Sequence, residues 1–289
     1  MTSNTSNTSN TSNTSNTSNV GNAGSGDPGG DYAFANRGNL PFVDDPNAPP
    51  APVSAALAAA KFPGRNWSSI WFAWILLTEY ARTDWYSISI DDPQIDETGV
   101  NKAIRDLVIK ARFERVDALA EIASQKDEFI SYFMGLLNAS PHTHPFTYNL
   151  MHVANLLATF SAIYFKAKYN RARPTQLYPM LLPPFSVPGH ASYPSGHATQ
   201  AFLIQHCMVH VLTKAQHPDL DRLTKAIVAL AERIALNREI AGFHYENDTD
   251  GGRALAKKIF TDILEPEYTS PDKMGNYQPL VNNAVEEWL

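Results

Sequence analysis

The chain has 289 residues, a formal net charge of −6 and a pI of 5.8. That acidic balance gives no electrostatic footprint for DNA or RNA, so a nucleic-acid partner is not expected. Cys207 is the single cysteine, which excludes an internal disulfide and any dependence of the fold on an oxidising compartment.

Residues 2–19 are six copies of Thr-Ser-Asn, followed by a Gly/Asn/Ser/Asp stretch to about Gly30. With no apolar core in the stretch to about Gly30, residues 1–40 are predicted to form a disordered tail. This tail has neither the basic nor the apolar region of a secretory signal, so its Asn-Thr-Ser triplets carry no weight as glycosylation acceptors. Residues 41–66 contain Pro41, Pro46, Pro49, Pro50 and Pro52 and read as an extended strap. Helical periodicity starts at Trp67. Within 68–82 the apolar run Ile70–Leu77 is eight residues long, far short of the ~20 that span a bilayer. It reads as a buried core helix, with Trp67, Trp71, Phe72 and Trp74 in the core. No spanning segment is expected anywhere, and with no export signal the predicted location is cytoplasmic.

Residues 85–96 read as a loop with a short extended piece. Residues 97–125 alternate charged and apolar side chains at helical spacing, with Ile104, Leu107, Val108, Ala111 and Val116 on the expected core stripe. Further helices are predicted at 126–138, 145–170, 197–214, 219–240 and 248–264. No long β-rich segment appears. The predicted architecture is all-α: one compact antiparallel helical bundle over residues 67–289, with its site between helix ends.

Three clusters carry the chemistry: Lys166-x6-Arg173-Pro174, Pro194-Ser195-Gly196-His197 and Arg238-x5-His244-x3-Asp248. Planar guanidinium forks match the oxygens of phosphate or vanadate with paired, charge-assisted hydrogen bonds, and a lysine adds a compact point charge. On one helix, Lys166 and Arg173 would lie close to two turns apart and share a face, with Pro174 ending the helix. Ser195, Gly196 and His197 fall at a predicted helix N-terminus, where free N–H groups and the dipole favour an anion. His244 and Asp248 are four apart, so the carboxylate can hold one ring nitrogen and leave the other as a ligand or nucleophile. His197 is placed to act as the acid or base.

Each of these residues also has a bland reading. Lys166 could be a solvated charge, Ser195 a simple helix cap, and His244 a satisfied, partly buried histidine. The order and spacing of all three clusters outweigh those readings. Arg171 is off the motif register and stays a surface charge. His206 and His210 are four apart but lack the glutamate of a metalloprotease helix, and His142 and His144 read as turn residues.

This pattern resembles the superfamily shared by vanadium-dependent haloperoxidases and type-2 phosphatidic acid phosphatases, whose usual form is K-x6-RP, PSGH and SR-x5-H-x3-D. The first two elements are complete here; in the third, Asn237 stands where serine is usual. The resemblance covers residues 166–248 and implies a bundle of the haloperoxidase/acid phosphatase type. It implies that Lys166, Arg173, Ser195, Gly196 and Arg238 hold the oxyanion and that Asp248 orients His244. His244 would be the axial ligand to vanadium or the nucleophile on phosphorus, and His197 the acid–base residue.

The string His190-Ala-Ser-Tyr-Pro-Ser-Gly-His197 is similar to that of the bromide-oxidising peroxidases, which carry a histidine seven residues before the acid–base histidine. His190 is then a tuner of halide or substrate access. The superfamily's lipid phosphatases are integral membrane proteins and its secreted acid phosphatases carry signal peptides. The resemblance therefore implies a soluble haloperoxidase-like enzyme with vanadate as cofactor, using hydrogen peroxide and bromide or iodide. The alternative is a phosphohydrolase that acts on phosphate esters through a phosphohistidine. A catalytically silent oxyanion-binding protein is disfavoured, because both histidines and Asp248 are present. Association into a homo-oligomer is left open.

Overall fold

The computed structural model describes residues 60–62, 67–91, 96–265 and 274–289. The predicted tail, and the strap apart from residues 60–62, lie outside the described residues. Among those residues there is no strand. The elements are α1 (Ser69–Tyr80), a 3-10 turn (Trp85–Ser87), α2 (Glu97–Phe113), α3 (Arg115–Ser124), α4 (Ile130–Leu136) and α5 (Pro145–Tyr169). They continue with α6 (Pro174–Leu177), a second 3-10 turn (Pro179–Leu181), α7 (Gly196–Lys214), α8 (Leu220–Ile240), α9 (Glu246–Ile259), a π-helical turn (Phe260–Leu264) and α10 (Tyr277–Glu286). The expected all-α bundle is present. No described helix is long and apolar enough to cross a membrane.

Helix α7 is the central post, packed against α5, α8 and α9, while α1 and α10 lie on α5. Phe202, Leu203, Ile204, Met208, Val211 and Leu212 of α7 are all buried, as a helix enclosed on nearly every side requires. Each such side chain contributes about 1.5–3 kcal/mol of burial free energy. Helix α5 opens with Pro145 in its first turn, where the missing N–H costs nothing. Its next amides, Phe146 N and Thr147 N, donate to the Glu287 carboxylate, each at 2.8 Å. Helix α10, absent from the predicted elements, thus delivers a carboxylate to the positive end of α5.

Three expectations about helices need correction. Residues 97–125 are two helices that meet at Glu114. Of the expected stripe only Leu107 is buried, and Val116 is 83% exposed. Charged and apolar residues alternate on this surface hairpin, so periodicity overstates its core face. Trp67, Trp71 and Trp74 are exposed rather than core, Trp71 by 63%. Helix α1 is apolar on most sides and packs through Ala73, Leu76, Leu77 and Tyr80, so pattern alone did not say which stripe is covered. Finally, α5 ends at Tyr169 because Asn170 adopts the left-handed conformation (φ 48°) and donates its N–H to Lys166 O. Pro174 opens α6 instead of closing α5. Arg173 therefore reaches the site from beyond the helix that carries Lys166, and the shared-face expectation fails.

Candidate active site

Ser195 is the N-cap of α7, and its hydroxyl oxygen accepts from Ala198 N at 3.4 Å. The hydroxyl proton stays free to donate, and Gly196 and His197 supply the first-turn amides. Ser195 N donates to Asp248 O at 2.8 Å, which pins this turn to the start of α9. Two glycines of α9 permit that approach. A Cβ on Gly252 would lie 2.8 Å from Ser195 O, and one on Gly251 would lie 2.2 Å from the Tyr193 ring. The Tyr193–Pro194 bond preceding the turn is cis.

Three buried cations surround this turn: Lys166, Arg173 and Arg238, each 2% exposed. Lys166 Nζ donates to Ala191 O at 2.9 Å and Ser192 O at 2.7 Å, leaving one N–H uncommitted. Its side chain passes Gly196, where an added Cβ would sit 3.9 Å from Lys166 Cε. Arg173 donates from Nε to His190 O at 2.8 Å and from Nη1 to Phe243 O at 3.0 Å. Arg238 Nη2 donates to Ile122 O at 3.0 Å, while its Nε is buried with no partner. Among the described residues none of the three has a carboxylate within ion-pair distance. Burial, aided by the Arg173 charge, lowers Lys166 to about 7. Burial likewise lowers Arg173 and Arg238 to about 10. Uncompensated buried charge costs several kcal/mol per ion, a cost that an anion held between them would offset.

His244 and Asp248 form the expected pair, with Nδ1 3.1 Å from Asp248 Oδ2. His244 precedes α9 rather than lying on it, yet the four-residue reach holds across the helix start. His244 Nε2 faces Arg173 Nη1 at 3.5 Å. Since a guanidinium can only donate, that ring nitrogen carries the lone pair and Nδ1 the proton. Burial holds the imidazole well below its ordinary pKa, against the pull of Asp248, so it is neutral at neutral pH. For Asp248, burial alone would raise the carboxyl. The hydrogen bond from His244, the Arg171 cation and the Ser192 hydroxyl outweigh it and hold the group below its ordinary value.

Two members of this group escaped sequence reading. Arg171 donates from Nη1 to Asp248 Oδ1 at 2.9 Å, and so is not a free surface charge. Ser192 donates to Asp248 Oδ2 at 2.5 Å and lies 3.4 Å from His244 Nδ1. A serine two residues from His190 carries no motif signal of its own.

His197 projects from the first turn of α7 and donates from Nε2 toward Gln125 O (3.2 Å) and Lys126 O (3.3 Å). Its Nδ1 is then the basic atom. Burial, followed by the nearby Arg238 charge, lowers its pKa to about 3. The ring therefore stands neutral, with a lone pair on Nδ1. Asn237 supports this arrangement: its Nδ2 donates to Gln125 Oε1 at 2.8 Å. His190 is drawn into the cluster, where its Nδ1 accepts from Arg173 Nη2 at 3.0 Å. Burial, then the Lys166 and Arg173 charges, lowers its pKa to about 4. His206 and His210 lie apart, both against the Phe260 ring.

No protein-family model matches the chain, and a search of curated proteins finds no match.

Proposed function

We propose that the protein is a vanadate-dependent, haloperoxidase-like enzyme that oxidises bromide or iodide with hydrogen peroxide. The observation that supports this most is the set of three buried cations without a carboxylate partner among the described residues, Lys166, Arg173 and Arg238, with Arg173 Nη1 3.5 Å from His244 Nε2. The donor set fits an oxyanion with one nitrogen ligand. The three cations, the Ser195 hydroxyl and the Gly196 amide would hold the oxygens of vanadate, and His244 Nε2 would ligate the metal. Bound vanadate supplies Lewis-acid activation of hydrogen peroxide without changing oxidation state.

The chain's own residues do the rest. Asp248 keeps the proton on His244 Nδ1, so that Nε2 stays a ligand. His197 Nδ1 accepts the proton that hydrogen peroxide must lose. The uncommitted N–H of Lys166 polarises the oxygen that halide attacks. His190 against Arg173, together with the His190-to-His197 spacing that resembles the bromide-oxidising peroxidases, favours this reaction.

A second reading is a phosphohydrolase. The His244–Asp248 pair, with Arg173 beside the nucleophilic nitrogen, suits attack of Nε2 on phosphorus, and His197 would protonate the leaving oxygen.

A paired assay on metal-free protein separates the two. Vanadate-dependent bromination of a cyclic diketone with peroxide and bromide is the outcome expected. Release of nitrophenol from its phosphate ester, inhibited by vanadate and without bromination, would assign the second reading.

A further inference from the structure

We infer that Arg171 is a positioning residue, which fixes the Asp248 carboxylate so that His244 Nε2 stays aimed into the cationic cradle. The inference rests on the oxyanion reading above and adds to it a residue at an unspecified position of the first motif.

The two oxygens of Asp248 have separate duties. Oδ2 accepts from Ser192 Oγ (2.5 Å), His244 Nδ1 (3.1 Å) and Tyr245 N (3.0 Å). Oδ1 accepts from Arg171 Nη1 at 2.9 Å. The terminal torsion of an aspartate is broad, so three donors converging on one oxygen do not by themselves fix the plane of the carboxylate. A cation on Oδ1 does. It also gives the fully buried carboxylate an ion-pair partner other than His244, so the imidazole need not be protonated to neutralise it.

Arg171 is itself held on three sides. Its guanidinium lies 4.1 Å over the buried Tyr245 ring. Nη1 also donates to Asn247 Oδ1 at 2.7 Å. Its carbonyl accepts from Ser192 N at 2.9 Å, tying it to the residue that shares Asp248. Tyr245, Asn247 and Asp248 all belong to the start of α9. A rigid donor on a rigid helix end is what orienting a ligand nitrogen requires.

The test separates orientation from mere support. Inorganic phosphate needs only the cations, whereas orthovanadate also needs His244 Nε2 as a ligand. Calorimetric titrations of both ions are compared for wild type, Arg171→Met and Arg171→Lys. Arg171→Met is expected to weaken orthovanadate by about tenfold or more, the usual size of a lost outer-shell contact, and to leave phosphate within about twofold. Arg171→Lys, which keeps a cation near Oδ1, should recover part of the orthovanadate affinity. An unchanged orthovanadate-to-phosphate ratio in both variants, whether each ion is retained or both are lost equally, overturns the role of Arg171 and leaves the oxyanion site standing. A wild type that binds neither ion overturns that reading and the inference with it.

Discussion

Arg171 and Arg173, two residues apart, take hold of opposite ends of one dyad. Arg171 Nη1 lies 2.9 Å from Asp248 Oδ1, and Arg173 Nη1 lies 3.5 Å from His244 Nε2. Between the left-handed cap at Asn170 and the proline that opens α6 the chain is non-helical. Side chains at i and i+2 of an extended chain share a side, so a short segment can present one arginine to the carboxylate and the other to the ring. Asp248→Asn keeps the volume but leaves Arg171 without its anion. Breaking such a buried pair is expected to cost about 3 kcal/mol, measured by urea unfolding. Orthovanadate affinity should fall by roughly 10–100-fold.

Lys166 sets a pH dependence. Burial, then Arg173, lowers its pKa from 10.5 to about 7. Between those values the unfolded chain holds the extra proton, so this group makes the anion-free fold more stable as pH rises through that window. Anion binding needs the ammonium form and weakens as pH rises through 7. Sulfate keeps its charge over this range, so the thermal stabilisation it confers should be larger at about pH 6 than at about pH 8.5. Lys166→Met should flatten that difference.

Gly252→Ala tests how the Ser195 turn is seated. The new Cβ would meet Ser195 O and Ala198 Cβ, each at 2.8 Å, so α9 must move off α7. Overpacking of this kind costs about 1–3 kcal/mol. Differential scanning calorimetry should show a lower Tm, and sulfate should stabilise the variant less than wild type.

His197→Ala should leave orthovanadate binding within a few-fold and remove turnover. A general base of this kind contributes about 10²–10⁴ in rate, and its ring makes no hydrogen bond to Lys166, Arg173 or His244. Full activity in this variant would remove His197 from the chemistry.

Spacing in the sequence singles out Lys166, Arg173, Ser195, Arg238, His244 and Asp248, all six of which the fold buries. It also marked the main helices within a few residues, since the apolar period of α5, α7 and α8 is strong. Other features had no local signature. Arg171 and Ser192 matter only because the Asn170 turn and the two glycines of α9 bring them to Asp248. The carbonyls that hold His197 belong to Gln125 and Lys126, 72 and 71 residues away, in a segment with no motif. The role of Asn237 follows from that same distant Gln125. Trp67, Trp71 and Trp74 were misjudged because hydrophobicity reports what a helix could bury, and packing decides what it does bury.

Titration of orthovanadate into metal-free wild-type protein and into His244→Ala is the most direct measurement. One equivalent bound per chain by wild type, and lost in the variant, is the expected result. Equal binding by both proteins would contradict ligation by His244. No binding by wild type would contradict an oxyanion site between Lys166, Arg173 and Arg238.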